Sequence, residues 1–580
     1  MRLILPPPFL ALKDNQMNRS DVFSVLQAKS PDVLIIGAGI NGAGTFRDLA
    51  LNGVDVLIID RGDFCSGASA ASSHMAHGGI RYLENGEFRL VREAVQERNR
   101  MIENAPHLVR PLPTVVPMFK IFSGLLNAPL KFLNWLDKPA ERGALVIKIG
   151  LIFYDAFTGK QRTVPPHKFE GREKSLEKYP KLAQDIKFTA TYYDGQILSP
   201  ERYTIELLLD GEKDGGKALN YVSFVGAQGD SVTLRDELTG STFEIQPKII
   251  INAAGPWIDL VNRTLGISNR YIGGTKGSHL VLNHPELREA IGKNEFFFEN
   301  KDGRIVLIFP FYDKVIIGTS DIPIQNPDEA RCTPEEEQYF IDLVSRVFPT
   351  IQVGPEHIVF RFSGVRPLEY MQAKTTGQIT RDHSIKEDKA GNIPVLSLVG
   401  GKWTSYRAFG EQVTDKVLAM LGKSRQAETT RLPIGGGADY PAVSLAQIEY
   451  IKKIGEETGL GNLIPKNLFE RYGTGALEVA RFVKETSAEP FIPRSSAGLQ
   501  SLPGWTVGEV RFLVEREKAV HVDDILIRRS TLAWLGNVTK PLVEEIAAIM
   551  ADSLGWSGEQ VKAEVERTLH VLKEYHGVVL

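Results

Sequence analysis

The chain has 580 residues, enough for about three or four domains of common size. Apolar residues make up 43% and charged residues 24%, ordinary globular usage, and a net charge of −3 argues against a nucleic-acid partner. Two cysteines, Cys65 and Cys332, make neither a disulfide framework nor a Cys-x-x-Cys pair, so no metal site is expected and a reducing compartment fits.

Residues 1–30 read as an extension. Pro6, Pro7 and Pro8 break the short apolar run, which argues against a signal peptide. Disorder is the plain expectation, with Met17 as an alternative start. The chain has no apolar run of about 18 residues, so no membrane-spanning helix is expected.

Residues 31–60 carry the first motif. An apolar strand, Val33–Ile36, runs into Gly37-Ala-Gly39-Ile-Asn41-Gly42, then a helix to about Leu51, a strand Val54–Ile59, and Asp60. Gly37 permits the tight turn. Gly39 lets the backbone approach a pyrophosphate, and Gly42 lets helix and strand pack closely. The helix N-terminus offers N–H groups to phosphate. Asp60 stands where a ribose hydroxyl needs an acceptor. The unit predicts an adenine dinucleotide site; a glycine-rich turn without ligand is the alternative.

The next segment separates nicotinamide from flavin. Small and hydroxyl residues run from Cys65 to Ser73, including Ser66, Ser69, Ser72 and Ser73, and His77-Gly78-Gly79 follow. A nicotinamide fold usually passes into an ordinary crossover helix here. A long Ser/Gly/Ala loop suits a flavin lying along the backbone, so FAD is expected, held non-covalently because no attachment motif is evident.

Within residues 119–157, Pro129 can open a helix with Lys131, Asn134 and Lys138 on one face. Leu130, Phe132, Leu133, Trp135 and Leu136 cover much of the rest. Such a helix either lies in a membrane interface or packs on its own core. Further on, the strand Lys248–Ile251 ends in "NAAGPWID", whose Ala254-Gly255 can pass close to phosphates; a strand-ending turn is the other reading. The segment "GGKWTSYR" follows a strand and precedes a helical pattern. It sets the amides of Gly401, Lys402, Trp403 and Thr404 at a helix N-terminus, suited to the electron-rich edge of a flavin or to its phosphate. From about Arg431 the pattern turns helical. Thr506 with Glu509, and Ser557 with Gln560, have capping-box spacing. No chemistry is evident there.

Nine segments, in order, resemble the FAD-dependent glycerol-3-phosphate dehydrogenases, within the wider glycine-oxidase and D-amino-acid-oxidase group. They are "IIGAGINGAG", "FCSGASAASS", "HGGIRYLE", "NAAGPWID", "KGSHLVL", "IFPFYDKVIIGTSD", "SGVRPL", "TRDH" and "GGKWTSYR". The chain departs from that pattern at His74, where the family usually has lysine, at Cys65, often alanine, and near 119–143, where it carries extra sequence. The resemblance implies an α/β protein in three parts. A Rossmann-like, discontinuous FAD domain spans 31–430. An α+β substrate and membrane-contact domain is inserted mainly at about 110–190 and 265–365. An all-α C-terminal domain covers 431–580.

The implied reaction oxidises sn-glycerol 3-phosphate to dihydroxyacetone phosphate and passes electrons to a quinone. The implied place is cytoplasmic, peripheral on the inner face of the cell membrane. Arg81, Arg366 and Lys402 lie beside glycine, proline or apolar residues, and Arg381 stands between Thr380 and Asp382. Arginine forks match a phosphomonoester, and the resemblance places these four around the phosphorylated substrate; structural salt bridges are the alternative. Tyr82 is either a further hydroxyl donor or a core residue. Alcohol oxidation also needs a base. The candidates are His279 and His77, with His279 preferred because it lies in the presumed substrate domain. An oxidase using oxygen, an oxidoreductase of amino or hydroxy acids, a flavin-bound protein without turnover, and a homodimer all stay open.

Overall fold

Val33–Ile36, Val56–Ile59 and Ile249–Asn252 are short apolar strands buried along their whole length. Strands of this kind need cover on both faces. The computed structural model describes residues 19–80, 87–120, 144–158, 163–300, 305–370, 382–461, 463–487 and 497–580. In it the three strands form the centre of a six-stranded sheet. Its order is His383–Ala390, Ile393–Gly400, Ile249–Asn252, Val33–Ile36, Val56–Ile59, Lys217–Leu219. All neighbours run parallel except the hairpin formed by the first two.

Alternation divides the strand side chains between two cores. Val33 and Ile35 pack with Phe46, Leu49, Tyr203 and Phe409 from the helices Ile40–Leu51, Pro200–Lys213 and Tyr406–Met420. Leu34 and Ile36 pack on the other side against the small sheet Val222–Gln228, Ser231–Asp236, Thr242–Ile245 and against Leu26.

Leu26 belongs to a helix, Arg19–Ala28, inside the stretch expected to be a disordered extension. Phe23 stacks on Phe243 with ring centres 4.5 Å apart, and Arg19 pairs with Asp236 at 2.9 Å. These partners lie more than 200 positions away, which no local pattern shows.

The second sheet has ten strands. Eight run in the order Ile322–Pro323, Thr275–Leu282, Lys314–Gly318, Ile305–Phe311, Glu295–Glu299, Val109–Met118, Phe188–Ile197, Met75–Ala76. Ile358–Arg366 also pairs with Thr275–Leu282, and Lys168–Gly171 with Phe188–Ile197. One face, with Phe309, Phe311, Phe360 and Phe362, is buried against the C-terminal helices. The other, with Leu280, Val306 and Ile308, is covered by the helices Pro285–Ile291 and Pro334–Val347.

In the C-terminal part, Ser557 and Gln560 form the reciprocal capping box that opens the helix Gly558–His576. At Thr506 only half of the expected box exists. The threonine accepts the Glu509 N–H at 3.1 Å, but the Glu509 carboxylate is buried and taken by Arg471 and Tyr472. A buried carboxylate needs charged and hydroxyl partners more than a helix end needs a second cap.

The helical part is tied to the six-stranded sheet by buried charges. Asp63 lies just beyond the strand Val56–Ile59. It accepts from Arg528 at 2.6 Å, from Arg529 at 2.9 Å and from Asn220 at 2.9 Å. Arg528 also meets Asp523 and Asp524, and Arg202 forks onto Glu517. Each buried charge is paired, so the network fixes how the two parts sit together.

Candidate active site

Close approach at glycines shapes the first half of the site. A Cβ on Gly42 would sit 2.0 Å from the Gly37 carbonyl oxygen, and one on Gly37, at φ +108°, 2.7 Å from the Ala253 oxygen. The protein's own packing therefore excludes side chains at both. Gly39 differs. A Cβ there would meet only the Ser69 hydroxyl, at 3.0 Å, so its open side faces a space where another molecule's backbone-close group can lie. The Ser69 hydroxyl accepts the Ile40 N–H at 2.9 Å.

Asp60 ends the neighbouring strand. Its two oxygens accept the N–H groups of Ala38 and Gly62 at 2.9 and 3.0 Å, and burial pushes its carboxyl up to about 6. Each carboxylate oxygen has a second lone pair for a hydroxyl donor. Asn252 holds the Ala254 N–H at 3.2 Å ahead of Gly255. Asn41 reaches the Gly400 carbonyl at 3.4 Å. The carboxyl ends of three parallel strands thus converge on one glycine-lined edge, where open α/β sheets bind ligands.

The second half is a cavity of about 210 Å³, lined among others by Ser73, His77, His279, Arg366, Gly401 and Lys402. The two facing strands explain how distant residues meet there. His279 lies opposite Phe362, Gly277 opposite Gly364, and Thr275 opposite Arg366. Alternation puts His279 and Gly277 on the same face as Phe362, Gly364 and Arg366. The two glycines leave that face low. A Cβ on Gly277 would strike the Arg366 guanidinium at 2.4 Å, and one on Gly364 would strike Ala71 at 2.6 Å. The arginine and the loop before Ser73 therefore lie flat on the sheet.

Arg366 is itself held. Its guanidinium donates to the Thr319 hydroxyl at 2.9 Å, the Ser320 carbonyl at 3.2 Å and Asp321 at 3.3 Å. These partners directly follow the strand Lys314–Gly318. No sequence pattern singles them out, though all three stand at the end of "IFPFYDKVIIGTSD". His279 is 2% exposed. Its ring stacks on Phe362 with centres 4.6 Å apart and planes at 2°. Burial first, and then the charge of Arg366, hold its pKa well below the ordinary histidine value, so the ring is neutral at pH 7.

Arg81, Tyr82 and Arg381, and the helix proposed around Pro129–Lys138, lie outside the described residues. Ser66 is exposed and does not line the cavity. The Ser72 hydroxyl accepts the His74 N–H at 3.3 Å. Gly78 is a glycine for internal reasons. A Cβ would sit 2.1 Å from the Tyr154 hydroxyl oxygen, and its N–H is taken by Asp194 at 2.9 Å. Gly79, at φ +72°, continues that turn.

The helical pattern that follows this segment is the α-helix Tyr406–Met420, and Trp403–Ser405 forms a 3-10 turn ahead of it. The Trp403 indole N–H is spent on the Ser69 carbonyl at 2.9 Å, and the Thr404 hydroxyl on the His77 carbonyl at 3.1 Å. Both side chains brace the 65–79 loop. His74 sits in a box of Phe311, Phe362 and Trp534, and burial lowers its pKa to about 3. The neutral ring fits that aromatic box.

Comparison with known proteins places this arrangement. Residues 32–412 match the family model described as FAD dependent oxidoreductase, and residues 427–561 match the C-terminal domain of alpha-glycerophosphate oxidase. The glycerol-3-phosphate dehydrogenase of Synechocystis sp. is 33% identical over 575 residues, covering 94% of this chain and 97% of that one. The aerobic glycerol-3-phosphate dehydrogenase of Staphylococcus haemolyticus is 28% identical over 568 residues, 94% of each chain. In fold, the chain is similar to the X-ray structure of the Bacillus halodurans glycerol-3-phosphate dehydrogenase complexed with FAD. The TM-score is 0.73 over 96% of this chain and 97% of that one, at 23% identity. The glycine-lined strand ends and the adjoining cavity are therefore those of a member of the FAD-dependent oxidoreductases, in their glycerol-3-phosphate dehydrogenase branch.

Proposed function

We propose that the chain oxidises sn-glycerol 3-phosphate to dihydroxyacetone phosphate and passes the electrons to a quinone. The observation that carries this reading is the cavity that joins a neutral histidine, His279, to Arg366 and Lys402 beside the glycine-lined strand ends.

FAD fits those strand ends. The turn Gly37–Gly42 and the start of the helix after it suit the pyrophosphate, with Asn41 beside them, and Asp60 a ribose hydroxyl. Ala254-Gly255, Ser66, Ser69, Ser72, His77-Gly78-Gly79 and the stretch Gly401–Thr404 are the remaining candidates along its length. When bound, FAD supplies the acceptor for the hydride that leaves carbon 2.

The chain supplies the rest. His279 is the base for the proton of the carbon-2 hydroxyl, and burial beside Arg366 leaves its ring unprotonated at neutral pH. His77 is the alternative base. Arg366 and Lys402, with Arg81, Arg381 and Tyr82, hold the phosphate. The Asp321 contact orients the Arg366 fork while offsetting part of its charge.

The electron acceptor implies a membrane. Among the described residues no helix is long and apolar enough to cross one. The helix Ala144–Thr158 nevertheless leaves Ile149, Ile152 and Phe153 about half exposed, beside an exposed Phe88 and Lys148. This face suits shallow insertion at an interface, on the cytoplasmic side of the cell membrane. The C-terminal match to a glycerophosphate oxidase favours one rival, direct reaction with oxygen. Peroxide formed in step with substrate oxidation in air would select that rival.

Four outcomes are expected. Gly39→Val should fold but lose FAD, because only the Ser69 hydroxyl is in its way; full flavin occupancy contradicts the assignment, and Gly42→Val should fail to fold at all. Arg366→Lys keeps the charge and loses the fork. It should lower kcat/KM for glycerol 3-phosphate by roughly 30- to 1000-fold, about 2–4 kcal/mol, with FAD content unchanged; wild-type kinetics rule out the clamp. Ile152→Asp with Phe153→Asp should shift the protein from the membrane fraction to the soluble fraction while turnover with a soluble dye survives. Unchanged partitioning removes this helix from the membrane contact.

A further inference from the structure

His279 has one described polar outlet. Its Nε2 lies 2.8 Å from the Ser73 hydroxyl, and among the described residues its buried Nδ1 has no hydrogen-bond partner. The ring cannot easily turn to find another. One face is stacked on Phe362, and Cδ2 lies where a Cβ on Gly318 would be, 2.1 Å away. Ser73 and His279 both line the cavity.

The backbone after Ser73 is held in an uncommon shape. His74 adopts φ +54°, a left-handed conformation that a non-glycine residue rarely takes. It is kept there from both sides. The Ser72 hydroxyl accepts the His74 N–H, and the His74 carbonyl accepts the Ile197 N–H at 2.8 Å. The His74 ring is locked between Phe311 and Trp534. This strained turn fixes where the Ser73 side chain starts, and that side chain meets the histidine.

We infer that Ser73 is a catalytic residue, the hydroxyl through which His279 acts as base, rather than a ligand of the flavin. The inference rests on the reaction proposed above. With hydrogen on Nδ1, the lone pair of His279 Nε2 accepts the Ser73 proton. As it does so, the Ser73 oxygen takes the proton of the substrate's carbon-2 hydroxyl. The substrate O–H bond breaks, the serine is regenerated, and the imidazole becomes imidazolium. The carbon-2 hydride leaves for the FAD of this family, and the carbon–oxygen double bond forms. One proton and one hydride leave the alcohol, and both have a destination. A short hydroxyl suits the task because it can pivot between donor and acceptor, which a boxed imidazole cannot.

The test uses the full-length holoenzyme with Ser73→Ala, Ser73→Thr, Ser73→Cys and His279→Gln. Flavin content, steady-state kinetics and the pH dependence of anaerobic flavin reduction are measured for each. Ser73→Ala should keep its FAD and a KM within about threefold of wild type. It should lose roughly 10²- to 10⁴-fold in kcat, the usual size of a base effect, with the acid limb of the pH profile displaced. Ser73→Thr restores a hydroxyl and should recover most of the rate. If Ser73→Ala does not fold, Ser73→Cys, a poor donor of similar size, should show the same loss. A folded Ser73→Ala or Ser73→Cys enzyme with wild-type kcat and pH profile overturns the relay. So does one whose loss of activity merely follows loss of flavin, which would make Ser73 a cofactor ligand. His279→Gln separates the two levels. If it is inactive while Ser73→Ala is normal, only the relay fails; if it is itself normal, the proposed base fails with it.

Discussion

The site depends on one contact between backbones. The Gly37 carbonyl oxygen lies where any side chain on Gly42 would begin, 2.0 Å from its Cβ position. That approach seats the helix Ile40–Leu51 directly on the end of the strand Val33–Ile36. The helix start then lies beside the ends of the strands Ile249–Asn252 and Ile393–Gly400, with the Ile40 N–H given to the Ser69 hydroxyl. A helix start offers unpaired donors and a positive dipole end, and an anion placed there meets both. The second sheet repeats the device. Gly277 and Gly364 face each other across two strands, and the space that they leave lets Arg366 lie on the sheet. Glycine serves twice to clear a floor, once for backbone approach and once for a cation.

The helical C-terminal part carries none of the candidate site residues, yet it holds the site from behind. Trp534 closes the aromatic box around His74, next to Ser73, and packs on Phe360 and Phe362 in the strand that bears Arg366. The buried ion network around Asp63 joins the same part to the residues just after Asp60. A second support comes from the helix Ala144–Thr158. Its Tyr154 hydrogen-bonds Asp194, which holds the Gly78 N–H, while the fully buried Arg98 donates to the same tyrosine. The exposed apolar side of that helix and the His77–Gly79 turn are thus one side chain apart.

How much of this was legible in the sequence follows the range of each interaction. The turn from Gly37 to Asp60 could be read because the strand, glycines, helix start and acid are all local and each has a single physical reason. His279 and Arg366 could be singled out by chemistry and by the family resemblance. Their meeting on neighbouring strands is a matter of register, which only the pairing of Thr275–Leu282 with Ile358–Arg366 reveals. Arg366 looked like a free cation because its acid, Asp321, is 45 positions away. Glu509 looked like a helix cap because nothing near it announces Arg471. Trp403 and Thr404 were read for their amides, but their side chains are satisfied by carbonyls of Ser69 and His77, more than 300 positions earlier. At Gly78 the sequence does not show that Tyr154, 76 positions later, by itself requires a glycine there.

The central claim is that this cavity oxidises a phosphorylated alcohol at a flavin. Anaerobic titration of the holoenzyme with sn-glycerol 3-phosphate, followed by visible flavin absorbance, tests it most directly. The account predicts stoichiometric bleaching with glycerol 3-phosphate, and none with glycerol or a small amino acid at the same concentration. A flavin that stays oxidised with glycerol 3-phosphate, or that is bleached equally well by an amino acid, contradicts it.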